Sequence, residues 1–298
     1  MHTFFYATGN FDRSAQHRED HGWLKARLAD PRSRLYPVWR LRHLVQQTDS
    51  PKLRLLDPVA QADLIARAET VILLGVEGDI AHFALDLSVL DENAAIELGD
   101  FQELRGIGPL LPQRDGALLA YARGLAYWHQ RHRYCGVCGA PTEVKAAGHQ
   151  RQCTDRACAT VQFPRTDPAV IMRVTCGNRI LMARQGMWAQ GMHSVLAGFV
   201  EPGETLEDAV AREVFEEVGL RVHDIRYFGS QPWPFPASLM LGFTAEAESE
   251  KFDLHDGEIE SARWMSRMEL LNSPEDETFR LPRADSISRR LIEDWVKL

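Results

Sequence analysis

The sequence predicts an α+β protein of more than one domain, and three observations carry that expectation. Segments rich in β-branched and apolar residues are interspersed with segments whose apolar residues recur at helical spacing. A polar, Gly-rich stretch holding four cysteines separates two such mixed regions. With 298 residues and ordinary apolar and charged fractions, the chain is long enough for about two cores rather than one.

In the first region, residues 38–45 and 70–87 read as β structure, the second broken by Gly75, Gly78 and Asp79 as a hairpin would be. Residues 117–128 then place Leu118, Leu119, Tyr121, Ala122, Leu125 and Ala126 at helical spacing. No catalytic constellation is visible before residue 130, so this region reads as scaffold, dimerisation surface or cover for a substrate. Beyond Pro164, residues 169–174 and 179–183 read as strands around a Cys176-Gly177-Asn178 turn, and a strongly patterned helix begins near Thr205. Residues 222–228 and 238–245 are again β-like, and residues 286–296 form a helix with Ile287, Leu291, Ile292 and Trp295 on one side. No internal repeat and no low-complexity tract is visible.

Formal net charge is −8, which argues against a broad nucleic-acid footprint. The exception runs from Arg123 to Arg133, where Arg131, His132 and Arg133 form either a solvated helix end, the favoured reading, or a rim for substrate phosphates. No apolar run reaches the ~18 residues of a membrane span, and the first thirty residues carry Asp12, Arg13, Arg18, Glu19, Asp20, Lys25 and Arg27. The expectation is a cytoplasmic protein with no signal peptide and no membrane partner. The terminal Val296-Lys297-Leu298 matches a peroxisomal tripeptide only in part.

Cys135-x-x-Cys138 and Cys153-x4-Cys158, with fourteen residues between the pairs, supply four thiolates on two knuckles, as a tetrahedral zinc site requires. Two disulfides would need an oxidising compartment. Four protein ligands close the shell, so this Zn²⁺ is expected to be structural. Cys176 lies outside the cluster and reads as a small, partly buried thiol.

The strongest signal runs from Gly198 to Leu220. Thr205 with Asp208 reads as a capping-box variant and Gly219 suits a left-handed helix end, which predicts a helix over residues 206–218. On it Glu213, Glu216 and Glu217 stand at i, i+3 and i+4 and share a face, while Val210, Val214 and Val218 form a separate stripe that can pack on a sheet. Three carboxylates at this spacing ask for a cation, and oxygen ligands suit Mg²⁺ or Mn²⁺. A solvated acidic face is the ordinary alternative.

The frame around these glutamates resembles the Nudix box, G-x5-E-x7-R-E-U-x-E-E-x-G-U with U aliphatic. Gly198, Glu204, Arg212, Glu213, Val214, Glu216, Glu217, Gly219 and Leu220 fit every specified position. The resemblance implies a Nudix fold, a mixed sheet between helices, that cleaves a nucleoside diphosphate linked to a further moiety. It implies that Glu213, Glu216 and Glu217 are metal ligands, one also serving as base, with Arg212 and Glu204 orienting them. A further ligand is implied at Glu258, a place for which Glu260 competes.

Next comes Ser230-Gln231-Pro232-Trp233-Pro234-Phe235-Pro236-Ala237-Ser238, three prolines alternating with two aromatics in what reads as a stiff extended segment. It is similar to the S-Q-P-W-P-F-P-x-S signature of NADH pyrophosphatases. That resemblance implies a degenerate Nudix-like domain at 1–130, a four-cysteine zinc ribbon at 131–164 and a catalytic Nudix domain at 165–298. It also implies that Gln231, Pro232, Trp233, Pro234, Phe235, Pro236, Ala237 and Ser238 line the dinucleotide pocket, with Phe163, Ala197, Phe199 and Ser288 as further contacts. Some relatives carry tyrosine where this chain has Phe163, and relatives often carry alanine where it has Ser288. The implied reaction converts NADH, and NAD⁺ less well, to reduced nicotinamide mononucleotide (or NMN) and AMP, in a homodimer. The rival substrate is NAD-capped RNA; the rival class is a nucleotide sensor that binds without cutting, against which the intact glutamates speak.

Overall fold

The computed structural model describes residues 4–46, 50–254 and 257–297. Leu298, the last residue of the terminal tripeptide, lies outside them. The chain divides into two compact units. One comprises Tyr6–Thr166 with Trp233–Ala237; the other comprises Phe4 and Phe5, Asp167–Pro232 and the chain from Ser238 onward. Among the described residues no helix is long and apolar enough to cross a membrane.

In the first unit the strands β1 (Arg34–Trp39), β2 (Arg42–Gln46), β3 (Lys52–Leu53), β4 (Thr70–Glu77), β5 (Ile80–Asp86) and β6 (Asp100–Glu103) form one sheet in the order β3-β2-β1-β5-β4, with β6 also on β2. Only β1 and β5 run parallel among the paired strands. The β-like stretch 38–45 is in fact two strands, because Arg40 and Leu41 adopt left-handed φ of 48° and 64°, the turn whose twist matches an antiparallel hairpin. Leu35, Leu73, Phe83 and Leu85 pack on one face against Leu24, Leu28, Leu64 and Ile65 of two short helices, His21–Leu28 and Ala62–Arg67. A helix over Gln113–Arg131, longer than the periodicity suggested, packs against β1 and β4.

The same unit holds a three-stranded antiparallel ribbon of β7 (Thr142–Lys145), β8 (Gln150–Cys153) and β9 (Val161–Gln162). Buried polar groups seat it. His149 donates from Nε2 to the Leu73 carbonyl at 2.7 Å, and His129 donates from Nε2 to the Gly148 carbonyl at 2.8 Å. Arg151 donates to His129 Nδ1 at 3.1 Å and to Thr142 Oγ1 at 2.7 Å. Gly148 is required here, since a Cβ on it would lie 2.8 Å from Ile72.

The second unit is a mixed sheet of β10 (Asp167–Cys176), β11 (Arg179–Gln185), β12 (Leu196–Phe199), β13 (Val222–Trp233), β14 (Ser238–Ala247) and β15 (Ile259–Ser266), ordered β13-β14-β10-β11-β15 with β12 on β10. Alternation along β10 sorts its side chains to two layers. Val170, Met172 and Val174 meet Val210, Val214 and Val218 of the helix Leu206–Val218, whereas Ile171 meets Leu291 and Trp295 of the helix Ile287–Lys297. The sheet between helices is therefore the expected one.

One expectation holds and one reading changes. The two sheets share a topology, as the degenerate Nudix-like first domain implied, although no repeat is visible in the sequence. Each has a parallel central pair, β1–β5 or β10–β14, flanked by the hairpin partners β2 and β4 or β11 and β13. Backbone pairing preserves what the residue pattern does not display. The strip after the box is not extended throughout: β13 runs on to Trp233, and Pro234 to Ala237 turn the chain into β14. Prolines cannot donate to a ladder, so the strand ends where they accumulate.

Candidate active site

The helix Leu206–Val218 begins with a complete capping box between Thr205 and Asp208 and ends on Gly219 with φ 66°. Val210, Val214 and Val218 are fully buried. At roughly 1.5 kcal/mol or more per buried valine, their packing outweighs the few tenths of a kcal/mol that each like-charged pair on the helix costs. The acidic face is thus carried without melting the helix.

That face is graded in depth. Glu216 is exposed, Glu213 is largely covered and Glu217 is buried at 3% exposure. Gly198 on β12 makes room for Glu213, because a Cβ at that position would stand 1.8 Å from the Glu213 carboxyl carbon. Burial pushes the Glu213 carboxyl up, opposed by Arg212 and reinforced by the charges of Glu216 and Glu258.

Arg212 is the hub. Its guanidinium donates to Glu204 Oε1 at 2.5 Å and Oε2 at 3.0 Å, to Glu213 at 2.9 Å, to Glu216 at 2.8 Å and to the Phe199 carbonyl at 2.9 Å. These contacts push Arg212 further up from an already high value and hold Glu204 down, to about 2. Glu204 also accepts from the Glu201 N–H at 3.0 Å, fixing the loop before the helix. The arrangement keeps Glu204 and Arg212 as a permanently ionised pair that orients the two neighbouring glutamates.

Glu258 and Glu260 are told apart by their partners. Glu260 accepts from Arg184 at 2.8 Å, whereas Glu258 accepts from the Gln185 amide at 2.7 Å and its charge acts on Glu213. Among the described residues, sets of three or more possible ligand atoms within 4.8 Å of one another are His223, Asp224 and Glu246 and the four cysteines; Glu213, Glu216, Glu217 and Glu258 are not such a set. Glu213, Glu216 and Glu217 lie along one helix, and Glu258 immediately precedes β15.

The sulfurs of Cys135, Cys138, Cys153 and Cys158 all lie within 4.8 Å of one another. Two of their separations are 3.8 Å and 3.4 Å, too long for a disulfide and close to the ~3.8 Å edge of a tetrahedron with Zn–S bonds of about 2.3 Å. Backbone N–H groups of Cys138 and Val137 hold the Cys135 thiol down, to about 7. Cys176 packs against the core of the second unit.

Comparison with known proteins agrees with this geometry along nearly the whole chain. Residues 165–287 match the NUDIX domain, residues 32–128 the NADH pyrophosphatase-like rudimentary NUDIX domain, and residues 130–163 the NADH pyrophosphatase zinc ribbon domain. The NAD-capped RNA hydrolase NUDT12 of Macaca fascicularis is 33% identical over 342 residues, covering 99% of this chain and 73% of that protein. The chain belongs to the Nudix hydrolases of the NADH pyrophosphatase type. The NAD-capped RNA hydrolase NudC of Mycobacterium tuberculosis is 43% identical over 241 residues, covering 76% of this chain and 75% of its own. A Nudix hydrolase structure from Nitrosomonas europaea superposes with a TM-score of 0.45 at 21% identity, over 54% of this chain and 91% of that one.

The other residues expected to contact substrate in this Nudix hydrolase are dispersed. Phe163 and Phe199 are exposed, and Ala197 is half-buried on β12. Gln231 is buried with its amide fully used: it donates to the carbonyls of Asp285 at 2.6 Å and Phe5 at 3.2 Å and accepts from the Ile287 N–H at 2.6 Å. Ser288 is buried, its hydroxyl 2.6 Å from that of Ser194. Pro232, Ala237 and Ser238 are half-buried, Pro234 is buried and Pro236 is exposed.

The rings of Trp233 and Phe235 lie 5.2 Å apart, edge to face, and each meets Tyr6 at 5.9 Å and 5.8 Å. Arg105 and Arg123 stand over the Phe235 ring at 4.6 Å and 5.2 Å, and Arg123 also donates to the Pro234 carbonyl. Tyr6 and Arg105 carry no motif and gave no signal in the sequence, whereas Arg123 opens the basic stretch already noted. The basic stretch near them is only partly open: Arg123 is half-buried, and Arg133 pairs with Glu69.

Proposed function

We propose that this Nudix hydrolase cleaves the pyrophosphate of NADH, and of NAD⁺ less well, to reduced nicotinamide mononucleotide (or NMN) and AMP, and removes the same group as a cap from RNA 5′ ends. The observation that carries the reading is the complete box on a buried-stripe helix in a chain whose relatives are named NAD-capped RNA hydrolases. Glu213, Glu216, Glu217 and Glu258 hold Mg²⁺ or Mn²⁺ in this proposal. When bound, such ions neutralise the pyrophosphate and make a water acidic enough to attack phosphorus. Arg212 and Glu204 keep the carboxylates aimed, and Glu217, the most buried of the three box glutamates, takes the water's proton.

For substrate recognition the proposal retains Phe199 and Phe163 as exposed aromatic faces, Ala197, which shares β12 with Phe199, and the strip Gln231 to Ser238. Gln231 and Ser288 act from behind, since their polar atoms are occupied by the protein itself. We assign Zn²⁺ to the four cysteines, three domains meeting near residues 130 and 165, a homodimer in which Phe163 reaches the neighbouring protomer, and a cytoplasmic location.

Separation of products from NADH, NAD⁺, ADP-ribose and NAD-capped RNA with Mg²⁺ or Mn²⁺ tests the reading. Release of the mononucleotide and AMP, or of a 5′-monophosphate RNA, is expected. Intact NADH and intact cap under both ions would refute it. The ratio of kcat/KM for the two substrates ranks them.

A further inference from the structure

The strip after the box has few means of holding its own shape. Pro232, Pro234 and Pro236 have no N–H to donate to a ladder, and the Phe235 N–H goes to the Trp233 carbonyl at 2.8 Å. Its other contacts come from residues distant in sequence. Although the chain enters Trp233–Ala237 from β13 and leaves into β14, this segment groups with Tyr6–Thr166. Arg123, on the helix Gln113–Arg131, donates to the Pro234 carbonyl and carries its guanidinium 5.2 Å from the centre of the Phe235 ring. Arg105 stands over the same ring at 4.6 Å, and Tyr6 meets both Trp233 and Phe235 edge-on. Arg123 is half-buried, and burial pushes it down from its ordinary value, with the Arg105 charge adding to the effect. A buried guanidinium is costly unless bonds compensate it, and here the carbonyl and the ring do so. Its planar fork can bond a carbonyl and lie on a ring at once, which a lysine ammonium cannot. Trp233 and Phe235 are themselves only half-buried, so both stay partly accessible to a ligand.

We propose that Arg123 is a positioning residue that fixes the Trp233–Phe235 aromatic pair through the Pro234 carbonyl and the Phe235 ring, so that a unit with no box of its own tunes the affinity for the dinucleotide. The inference rests on the substrate-recognition role given to the strip above. Because Arg123 acts through the strip, its loss appears in binding and not in the chemical step.

The test is isothermal titration of NAD⁺ into the full chain, zinc retained and Mg²⁺ and Mn²⁺ omitted, which reads binding without cleavage; steady-state kinetics on NADH with Mg²⁺ then separates KM from kcat. Arg123→Ala should raise Kd and KM about tenfold, the order of a desolvated cation–π contact, with kcat within about threefold. Arg123→Lys, which keeps the charge without the flat fork, should fall between Arg123→Ala and wild type. In a Trp233→Ala/Phe235→Ala background, where neither ring is left to place, Arg123→Ala should add no further loss, whereas a merely structural role would cost the same factor in both backgrounds. Arg114→Ala, on the same helix and paired with Glu77, should leave Kd within about twofold. A Kd within about twofold of wild type in Arg123→Ala, an equal further loss in the double-alanine background, or an equal loss in Arg114→Ala overturns the proposal. Where Arg123→Ala does not fold, a wild-type Kd in Arg123→Lys overturns it. A wild-type chain that binds NAD⁺ but cleaves neither NAD⁺ nor NADH overturns the hydrolase reading and leaves the Arg123 comparison intact.

Discussion

The two sheets of this molecule run in the same strand order and differ in what is placed beside them. Between β2 and β4 the first unit has a six-residue helix, Ala62–Arg67, whose only acid is Asp63. At the corresponding place the second unit has thirteen residues, Leu206–Val218, with Glu213, Glu216 and Glu217 and a glycine opposite that opens space for Glu213. The two units thus share a scaffold and differ in this helix and in the glycine that faces it. The first unit has instead accumulated buried neutral polar groups. Tyr36 bonds His82 at 2.9 Å, His43 is wholly buried, and His129 and His149 seat the ribbon.

The comparison is broken most severely at the helix. Glu217→Gln keeps the shape of a buried side chain and removes its charge, so turnover should fall by about three orders of magnitude or more with the melting temperature little changed. Asp63→Asn, at the matching place in the first unit, should leave kcat/KM within about twofold. Steady-state kinetics with saturating Mg²⁺ checks both. Similar losses in the two variants would mean that the first sheet takes part in the chemistry.

A smaller effect is expected at the cysteines. Cys153 is buried and its sulfur stands 3.4 Å from that of Cys138. Cys153→Ser should abolish the roughly one zinc per chain found by elemental analysis and lower the melting temperature by about 10 °C, taking a loss of roughly 3 kcal/mol and a shift of about 2–4 °C per kcal/mol. Because the ribbon belongs to the first unit, the loss should appear as unfolding of that unit before kcat changes. A zinc-free wild type of equal stability would sink the assignment.

What the sequence showed of this site, and what it hid, follows from the range of each interaction. The box lies within one loop and one helix, so the three glutamates could be placed from helical spacing, and Glu204 and Arg212 from the resemblance to the Nudix box. Gln185 and Glu258 are 73 positions apart and meet only through a β-bulge, which leaves no periodic trace. The strip after the box was legible as a motif but not as a shape, because its prolines are compatible with an extended segment and with the turn that Pro234 to Ala237 make. Gln231 was read as a pocket residue; that its amide also makes three bonds to the backbone of Phe5, Asp285 and Ile287 is something no local pattern announces.

The mildest test of the comparison is acid. Burial lowers His43 to about 3 and His82, His129 and His149 to about 4, from an ordinary 6.5. A histidine whose folded value is depressed contributes stability that is present above about 6.5 and is lost as the pH falls toward the folded value, because the unfolded chain takes up the proton first. At His129 the reason is visible: Nδ1 accepts from Arg151, so a proton there removes an acceptor and faces a guanidinium. Each such group contributes a slope of up to roughly 1.4 kcal/mol per pH unit, and Asp86, raised by burial, opposes them in part. The second unit has a different window. Glu204, held at about 2 from an ordinary 4.5, loses its contribution only below about 4.5, and among the described residues of this unit the one buried histidine is His193. Hydrogen exchange followed peptide by peptide, with intrinsic rates corrected for pH, should show β4, β5 and the ribbon losing protection between pH 6.5 and 5 while β10 and β14 keep theirs. Loss of protection in both units at one pH would mean that the histidines are not what separates them, and that the two sheets unfold as one.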